Sequence, residues 1–384
     1  MIERPDTSLL VKEISCPRSF HGLQDKWRDL EESVSHPSVF LTHEWFSSAW
    51  QWRCQDSALL ILVVWQNGEL VGACPLIKSQ QERMHVKYTK LEYLAVPDTQ
   101  ECLILAEPSL EPQVHLAILN HLNSRKDWDI AEIRQIPEDS FSWKFLTSEI
   151  QDPQIAIGFG GGGSNPTVPL AGTWQDYYSR RSRRLKKGNN HIANKLKRRY
   201  SEISVEFHYY SKWPDGLLQA VHENLIDLSI RSWKSMETKS SFDHDGPKAW
   251  LGDISSVAAD EGWLAVWILR LDEQCAATEM QLIRNGIASA LRADFDNELR
   301  DLSPGAYLNW KILEHLFSQD SEGVHEYRMG PGANPYKARW SEQELQLGHA
   351  VLYNKTLVAR THWIIEKWIK PTLRKIANLL SRQH

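Results

Sequence analysis

Three charged residues, Arg292, Asp294 and Asp296, occupy alternate positions near the end of a run in which apolar residues also alternate. Because successive side chains of a strand point to opposite faces, we expect all three on one polar face. A carboxylate held there can take a proton from an attacking amine or hydroxyl, provided that burial or a neighbouring like charge raises its pKa. We therefore predict Asp294 as the first candidate for a general base.

The turn before this strand predicts which residues lie across from it. Asn285-Gly286 between alternating segments is typical of a two-residue hairpin turn, which sets the register of the paired strands. That register places Glu279 opposite Arg292 and Ala277 opposite Asp294. Glu279 is then the second candidate base, with a cross-strand ion pair to Arg292 as its structural alternative. The opposite, core face is predicted to hold three apolar residues: Ile287, Leu291 and Phe295.

A helix start follows this strand. Ser303 suits the N-cap, Pro304 suits the first helical position, and Gly305 and Ala306 carry no bulky side chain. The first N–H groups of a helix have no partner within the helix, so such a start can hold an anion such as pyrophosphate. The alternative is a well-capped helix without a ligand.

Residues 300–306 read Arg-x-x-Ser-x-Gly-Ala. This resembles a degenerate form of the pyrophosphate loop of GNAT acyltransferases, Gln/Arg-x-x-Gly-x-Gly/Ala, with Ser303 in place of the first glycine. Together with the segment 336–340, Tyr-Lys-Ala-Arg-Trp, the pattern is similar to the CelD-like branch, which is named for cellulose biosynthesis. The resemblance implies acyl-CoA, such as acetyl-CoA, as a co-substrate and no permanently bound cofactor. It implies four donor-binding residues: Arg300, Ser303, Gly305 and Ala306.

The same resemblance implies roles for residues outside this loop. Tyr307 would protonate the departing sulfur, and its alternative is a packed core aromatic. Lys337 would face the donor phosphate or the acceptor, and its alternative is a solvated loop lysine. Tyr336 and Arg292 complete the predicted substrate-binding set.

Two halves of the 384-residue chain repeat one pattern, an apolar run, a tight turn and a second run rich in small residues. The turn is Asn67-Gly68 in the first half and Asp272-Glu273 in the second. We predict an α/β protein of two tandem GNAT-like domains, each a mixed, mostly antiparallel sheet flanked by helices, plus a C-terminal amphipathic helix. The predicted bounds are 1–157 for a degenerate first domain, 158–166 for a Gly-rich linker, 167–353 for the acyltransferase domain and 354–384 for the tail.

Bulk properties exclude several classes. The net charge of −5 and the pI of 6.3 give no overall argument for nucleic-acid binding. The longest apolar run, residues 58–65, is too short to cross a bilayer, and the five cysteines show no ligand spacing. We predict a cytoplasmic protein without a catalytic metal, with attachment to the inner face of the membrane as the alternative location.

Two basic segments have open alternatives. Residues 180–199 contain ten Lys or Arg and no acidic residue, which fits either a solvated helical face or a surface for phosphates of coenzyme A, a nucleotide- or lipid-linked sugar, or tRNA. The tail places Ile365, Trp368 and Ile369 on one apolar stripe, which either docks on the protein or makes peripheral membrane contact.

These observations lead to one favoured function and two rivals. The favoured one is acyl transfer from acyl-CoA to an amino or hydroxyl group, with a sugar or polysaccharide precursor as the acceptor implied by the resemblance. The first rival is aminoacyl transfer from tRNA, as in the paired GNAT-like domains of Fem peptidyltransferases. The second is a non-catalytic accessory role in polysaccharide biosynthesis or export.

Overall fold

The computed structural model describes residues 9–83, 85–148, 155–232, 244–318, 323–332 and 334–370. The strands are β1 (Leu10–Ile14), β2 (Ala58–Gln66), β3 (Glu69–Arg83), β4 (Val86–Tyr93), β5 (Leu105–Ala106), β6 (Ile130–Pro137), β7 (Ala156–Phe159), β8 (Gly163–Pro169), β9 (Ile203–Tyr209), β10 (Leu264–Leu271), β11 (Gln274–Arg284), β12 (Ile287–Phe295), β13 (Glu326–Arg328) and β14 (Gln343–Tyr353). The α-helices are α1 (Pro17–His21), α2 (Gln24–Ser33), α3 (His43–Arg53), α4 (Glu111–Ser124), α5 (Phe141–Thr147), α6 (Trp174–Ser179), α7 (Arg183–Arg199), α8 (Leu217–Arg231), α9 (Asp245–Asp260), α10 (Pro304–Leu316) and α11 (Leu357–Ile364). Shorter 3-10 segments are Val39–Leu41, Pro108–Leu110, Asn297–Leu302 and Lys337–Arg339, and Ile365–Ile369 is a π-helical turn.

All of these strands belong to one sheet. Its order is β1-β2-β3-β4-β6-β14-β8-β13-β12-β11-β10-β9, with β5 beside β3 and β7 beside β14. Each half supplies four antiparallel strands and then one parallel pair, β4 with β6 or β12 with β13. The helix α4 or α10 connects the members of each pair. The repeated topology confirms the prediction that the two halves are variants of one α/β unit.

The predicted hairpin turns are also present. Asn67 and Gly68 have φ values of 51° and 86°, and Asn285 and Gly286 have 51° and 72°. Asp272 begins the third turn with φ of 52°. These left-handed values are tolerated best by Asn, Asp and Gly, which is why the sequence identifies the turns reliably.

The Gly-rich segment does not form the predicted linker. Instead β7 and β8, which enclose it, both pair with β14 near the centre of the sheet. The backbones approach so closely that a side chain on Gly162 would meet the Leu347 carbonyl oxygen at 2.3 Å from the added Cβ. Glycine here permits tight packing between strands, so composition alone gave the wrong interpretation.

A hydrophobic core crosses the boundary between the halves. This shared core joins α3 of the first half to α9 of the second, where Trp250 lies 6.1 Å from Trp45 and 5.7 Å from Trp52 between ring centroids. A second core surrounds α10 and the sheet face that it covers. Because the halves share both a sheet and a core, their relative position is fixed by packing.

The described part of the predicted tail consists of α11 and the π-helical turn after it. Its predicted continuation, with Pro371, Leu373, Ile376 and Leu380, lies outside the described residues. Within the ranges given above, no helix has both the length and the apolar character needed to span a bilayer.

We expect Gly162→Ala to lower the free energy of unfolding by about 1–3 kcal/mol, because the added methyl group overpacks the contact with β14. The matched control is Gly161→Ala, since an added Cβ there meets nothing within 4 Å. Urea unfolding followed by tryptophan fluorescence measures both variants. Equal stability of the two variants would contradict the packed arrangement and restore the linker interpretation.

Candidate functional site

The strands β12 and β13 diverge soon after they meet. They pair in parallel only at Ile287–Ser289 with Glu326–Arg328, whereas β12 continues to Phe295. Beyond this point Ala290, Leu291, Ala293, Asp294 and Phe295 line a cavity, and the Gln100 side-chain amide donates to the Ala290 carbonyl at 2.8 Å. The divergence therefore opens a wedge in the sheet, with β12 along one side.

A β-bulge alters the register that the sequence predicted. From the turn as far as Gln281, which faces Ala290, the pairs are as expected. Farther from the turn the register is shifted by one residue, so Met280 faces Arg292 and Glu279 faces Ala293. The predicted pairing of Glu279 with Arg292 is thus wrong, because an extra residue enters β12. Ala277 lies opposite Phe295 and Thr278 opposite Asp294.

Because of the bulge, the prediction that three apolar residues of β12 share one core face is also wrong. Leu291 packs in the shared core, whereas Phe295 packs against the second core on the other side of the sheet. Ile287, Leu291 and Phe295 therefore do not share one face. A bulge reverses the alternation along the residues that follow it, and a pattern of alternate residues cannot show that.

The helix α10 begins at Pro304 as predicted, but Ser303 does not act as predicted. Its backbone is left-handed, with φ of 55° and ψ of 50°, and its side chain makes no capping hydrogen bond. A capping hydroxyl requires an extended backbone at this position. The N–H groups of Ala306 and Tyr307 donate to the Ser303 carbonyl instead. Pro304 has no N–H, which leaves the Gly305 N–H as the first-turn donor for a bound anion.

A cavity of about 650 Å³ lies where the wedge meets the start of α10. Pro97, Asp98 and Gln100 from the first half form one wall. The predicted site residues that line the cavity are Glu279, Asp294, Arg300, Ser303, Gly305, Ala306, Tyr336 and Lys337. Among the described residues, no group of His, Cys, Asp or Glu is arranged to hold a metal ion.

A buried ion pair occupies the wall formed by β12. The Arg292 Nε lies 2.9 Å from Asp294 Oδ2, and both side chains are almost fully buried. Arg292 Nη2 also donates to Ser229 Oγ of α8 at 2.7 Å, and Arg292 Nη1 lies 3.5 Å from Asp98 Oδ2. Arg292 therefore links both halves to the cavity wall, and Asp294 is its main charged partner.

The second buried carboxylate belongs to an oriented chain of hydrogen bonds. Tyr327 donates to Glu279 Oε1 at 2.7 Å, and the Gln281 amide donates to the same oxygen at 2.7 Å. Asn309 of α10 donates to the Tyr327 hydroxyl at 3.2 Å and accepts from Tyr336 at 2.9 Å. Asn309 thereby sets the direction of the hydrogen bonds made by both tyrosine hydroxyls, and it connects α10 to Glu279 through Tyr327.

Tyr327 and Tyr336, the two tyrosines of this hydrogen-bond series, stay neutral near pH 7. Burial raises the pKa of Tyr327 well above its ordinary value, and the charge of Glu279 raises it further. Burial likewise raises the pKa of Tyr336, again with a contribution from Glu279. Each phenol thus keeps its proton and acts as a hydrogen-bond donor.

Two predicted site residues have other contacts. Tyr307 is 9% exposed and packs in the second core, 5.9 Å from Trp310 between ring centroids, so it is not one of the described residues that line the cavity. The Lys337 ammonium donates to the carbonyl oxygens of Gly330 at 2.7 Å and Pro331 at 3.3 Å. Lys337 therefore holds the turn that closes one end of the cavity.

Several residues of the site carried no sufficient signal in the sequence. Asp98 and Gln100 lie almost two hundred residues before β12, and only tertiary packing brings them to the cavity. Asn309 was detectable, because it follows Gly305 by four residues and so shares its helix face. Tyr327 and Gln281 were not predicted, because no local pattern distinguishes these positions from other strand residues of the same type.

Comparison with known proteins is consistent with this geometry. Residues 186–338 match a family model described as an acetyltransferase (GNAT) domain. The matched segment contains β11, β12, α10 and most of the cavity lining. No protein of curated function matches the chain.

Solved structures share the fold of nearly the whole chain. The structure of FemX has 11% identity and a TM-score of 0.55, over 93% of this chain and 100% of FemX. The C-terminal domain of a putative lysylphosphatidylglycerol synthetase from Agrobacterium fabrum has 12% identity and a TM-score of 0.54, over 90% and 96%. A conserved protein of unknown function from Bacteroides thetaiotaomicron has 10% identity and a TM-score of 0.54, over 89% and 100%. At these identities the similarity establishes the fold alone. The GNAT domain match in the second half, together with the topology repeated in the first, describes a fold of two GNAT-like units.

Ser303→Gly is expected to raise the free energy of unfolding by about 1 kcal/mol, because glycine adopts a left-handed backbone without the steric cost that a side chain incurs. The control is Ser303→Ala, which keeps a Cβ at the strained position. Thermal unfolding of the two variants tests this expectation. A glycine variant no more stable than the alanine variant would mean that the backbone of residue 303 is not left-handed.

Proposed function

We propose that this protein is an acyltransferase that uses an acyl thioester donor. The observation that carries the proposal is the cavity in which a diverging strand pair, a helix start and two buried carboxylates converge. Such a site meets the needs of acyl transfer, which are donor binding, proton removal from the nucleophile and stabilisation of the oxyanion. The match to a GNAT domain supports the same reaction class.

The donor is an acyl-CoA in this proposal. Its pyrophosphate binds at the start of α10, where the Gly305 N–H and the exposed Arg300 provide positive potential. The helix α7 adds further positive potential, because Lys195 donates to the Asp301 carbonyl at 2.7 Å and so lies beside the loop that precedes α10. The thioester then extends into the wedge between β12 and β13.

The reaction proceeds by direct attack. The nucleophile transfers its proton to a carboxylate and forms a bond to the thioester carbon. The N–H of Leu291, the residue that the bulge leaves out of the ladder with β11, donates to the resulting oxyanion. The carbon–sulfur bond then breaks, and the Tyr336 hydroxyl turns from Asn309 to donate its hydrogen bond to the departing sulfur. Tyr336 replaces Tyr307 in this role because Tyr336 lines the cavity.

We assign the base role to Glu279 ahead of Asp294. Asp294 is bound to the Arg292 guanidinium, whose charge stabilises the ionised carboxylate and makes it a poorer proton acceptor. Glu279 accepts hydrogen bonds from the Gln281 amide and the Tyr327 hydroxyl, which are both neutral groups. This order reverses the one expected from the sequence.

The acceptor enters along the wall that the first half provides. Asp98 and Gln100 give that wall a polar character suited to a hydroxyl- or amine-bearing molecule. The resemblance to the CelD-like branch supports a sugar or a polysaccharide precursor as that molecule. The acceptor atom is an amino or hydroxyl group.

Calorimetric titration with acetyl-CoA tests the donor site. We expect the wild type to bind and Gly305→Glu to bind at least about tenfold more weakly, because the new carboxylate repels the pyrophosphate. Gly305→Ala is the control, since its Cβ meets Phe295 at an ordinary 3.4 Å. Failure of the wild type to bind acetyl-CoA or longer acyl-CoAs would refute this donor and favour either aminoacyl-tRNA as the donor or the non-catalytic accessory role.

Glu279→Gln is expected to lower kcat by about 10²–10⁴ while leaving acetyl-CoA affinity unchanged, because it removes the general base and preserves the shape of the side chain. Thiol release from acetyl-CoA in the presence of candidate amino sugars measures the effect. Asp294→Asn is the comparison. A larger loss in that variant than in Glu279→Gln would assign the base to Asp294.

One observation supports aminoacyl-tRNA as an alternative donor. The exposed side chains of α7 form a strongly basic surface directly beside the proposed donor loop. A nucleic acid bound there would place its 3′ end near the cavity. The predicted resemblance to Fem peptidyltransferases points in the same direction.

Binding of aminoacyl-tRNA separates the two donors. If tRNA is the donor, Arg184→Glu with Lys187→Glu on α7 is expected to weaken binding at least about tenfold and to flatten its salt dependence. Arg18→Glu with Lys144→Glu makes the same charge change on exposed residues of the first half. Equal effects of the two double variants would indicate non-specific attraction and argue against tRNA.

A further inference from the structure

Half of the exposed large apolar side chains lie on one part of the surface. Ten large apolar side chains stand out as exposed among the described residues, and half of them belong to α11, to the π-helical turn after it, or to the adjoining start of β4. These five are Val86, Leu357, Ile364, Trp368 and Ile369, with exposed fractions of 45%, 83%, 47%, 61% and 46%. Val86 and Leu357 also line a shared apolar recess of about 370 Å³. We call this set the apolar face.

The apolar face is not needed to attach α11 to the protein. The opposite side of the helix makes that attachment, where Ala359 is fully buried and His362 packs against Tyr88 with 4.9 Å between ring centroids. An ion pair of 2.9 Å between Arg83 and Glu366 anchors the π-helical turn. The segment is therefore fixed in place with its apolar face directed outward.

Cations surround the apolar face. Residues 355–370 contain four Lys or Arg and one acidic residue, in a chain whose net charge is −5. Arg360 and Lys367 are exposed, and the Lys367 ammonium lies 4.7 Å from the Trp363 ring and 5.9 Å from the Trp368 ring. Tryptophan and cations interleaved in this way suit the boundary between lipid headgroups and acyl chains.

We propose that the apolar face docks on the surface of an anionic phospholipid bilayer. Trp368, Ile369, Ile364 and Leu357 enter the headgroup boundary, while Arg360 and Lys367 bind lipid phosphates. A second copy of the chain fits less well, because a two-fold contact sets the same cations against each other. An anionic membrane complements both the charge and the apolar character. The proposal is independent of the acyl-transfer chemistry.

Co-sedimentation with vesicles tests the proposal. We expect the full chain to bind vesicles of equimolar phosphatidylcholine and phosphatidylglycerol at least about tenfold more strongly than vesicles of phosphatidylcholine alone. Added salt should weaken the binding, since exposed charges are screened. Equal binding to both vesicles, or no binding to the anionic ones, would overturn the proposal.

The first variant pair tests the apolar contribution. Trp368→Ser with Ile369→Ser is expected to reduce the partition coefficient about tenfold or more, because it removes apolar area from the interface. Leu116→Ser with Ile230→Ser alters two other exposed apolar residues, which are 49% and 41% exposed. This control is expected to bind like the wild type. An equal loss in the control would show general stickiness and refute a localised face.

The second pair tests the charges. Arg360→Glu with Lys367→Glu is expected to lower binding to anionic vesicles at least about tenfold, whereas Arg18→Glu with Lys144→Glu on the first half should have little effect. Unchanged melting temperatures will show that each variant is folded. If any variant unfolds, Ile364→Ser replaces the apolar pair and Lys367→Gln the charge pair.

Sedimentation velocity of the wild type and of the Trp368→Ser variant distinguishes a lipid surface from a second copy of the chain as the partner of the apolar face. The lipid proposal requires a vesicle-binding wild type and an unchanged oligomeric state in the variant. A concentration-dependent dimer that the variant abolishes, without vesicle binding by the wild type, would assign the apolar face to a second copy and refute the proposal.

Discussion

The site depends on the parting of β12 from β13 after three paired residues. In an uninterrupted sheet β13 would run beside the whole of β12 and fill this space. Because the strands diverge, β12 and the start of α10 line one cavity. Every other residue of the site, including both buried carboxylates, is positioned with respect to this wedge.

The second constraint is the union of the two halves. The last strand of the chain, β14, pairs with β6 of the first half and with β8 of the second, so the cleft is closed by sheet hydrogen bonds. The aromatic contacts of Trp250 with α3 add a shared core. The wall that carries Asp98 and Gln100 is therefore held rigidly, which suits a site that has to orient two substrates.

The buried charged groups of the site each have polar partners. The Arg292 guanidinium contacts the side chains of Asp294, Ser229 and Asp98. Asn309 is hydrogen-bonded to two tyrosines, one of which donates to Glu279. An isolated charge at such depth would be costly, so each carboxylate is retained only with its partners. The different partners of Asp294 and Glu279 give two nearby carboxylates different chemistry.

Local features of the sequence predicted much of this protein. The turns at Asn67-Gly68 and Asn285-Gly286, the start of α10 at Pro304 and the repeated α/β unit all follow from backbone preferences that act over a few residues. Tertiary structure alone decided the bulge in β12, the packed course of the Gly-rich segment, the left-handed backbone of Ser303 and the arrival of Asp98 at the cavity. Those features depend on contacts between segments that are distant in the sequence. The free energy of such contacts cannot be inferred from a local pattern of residues.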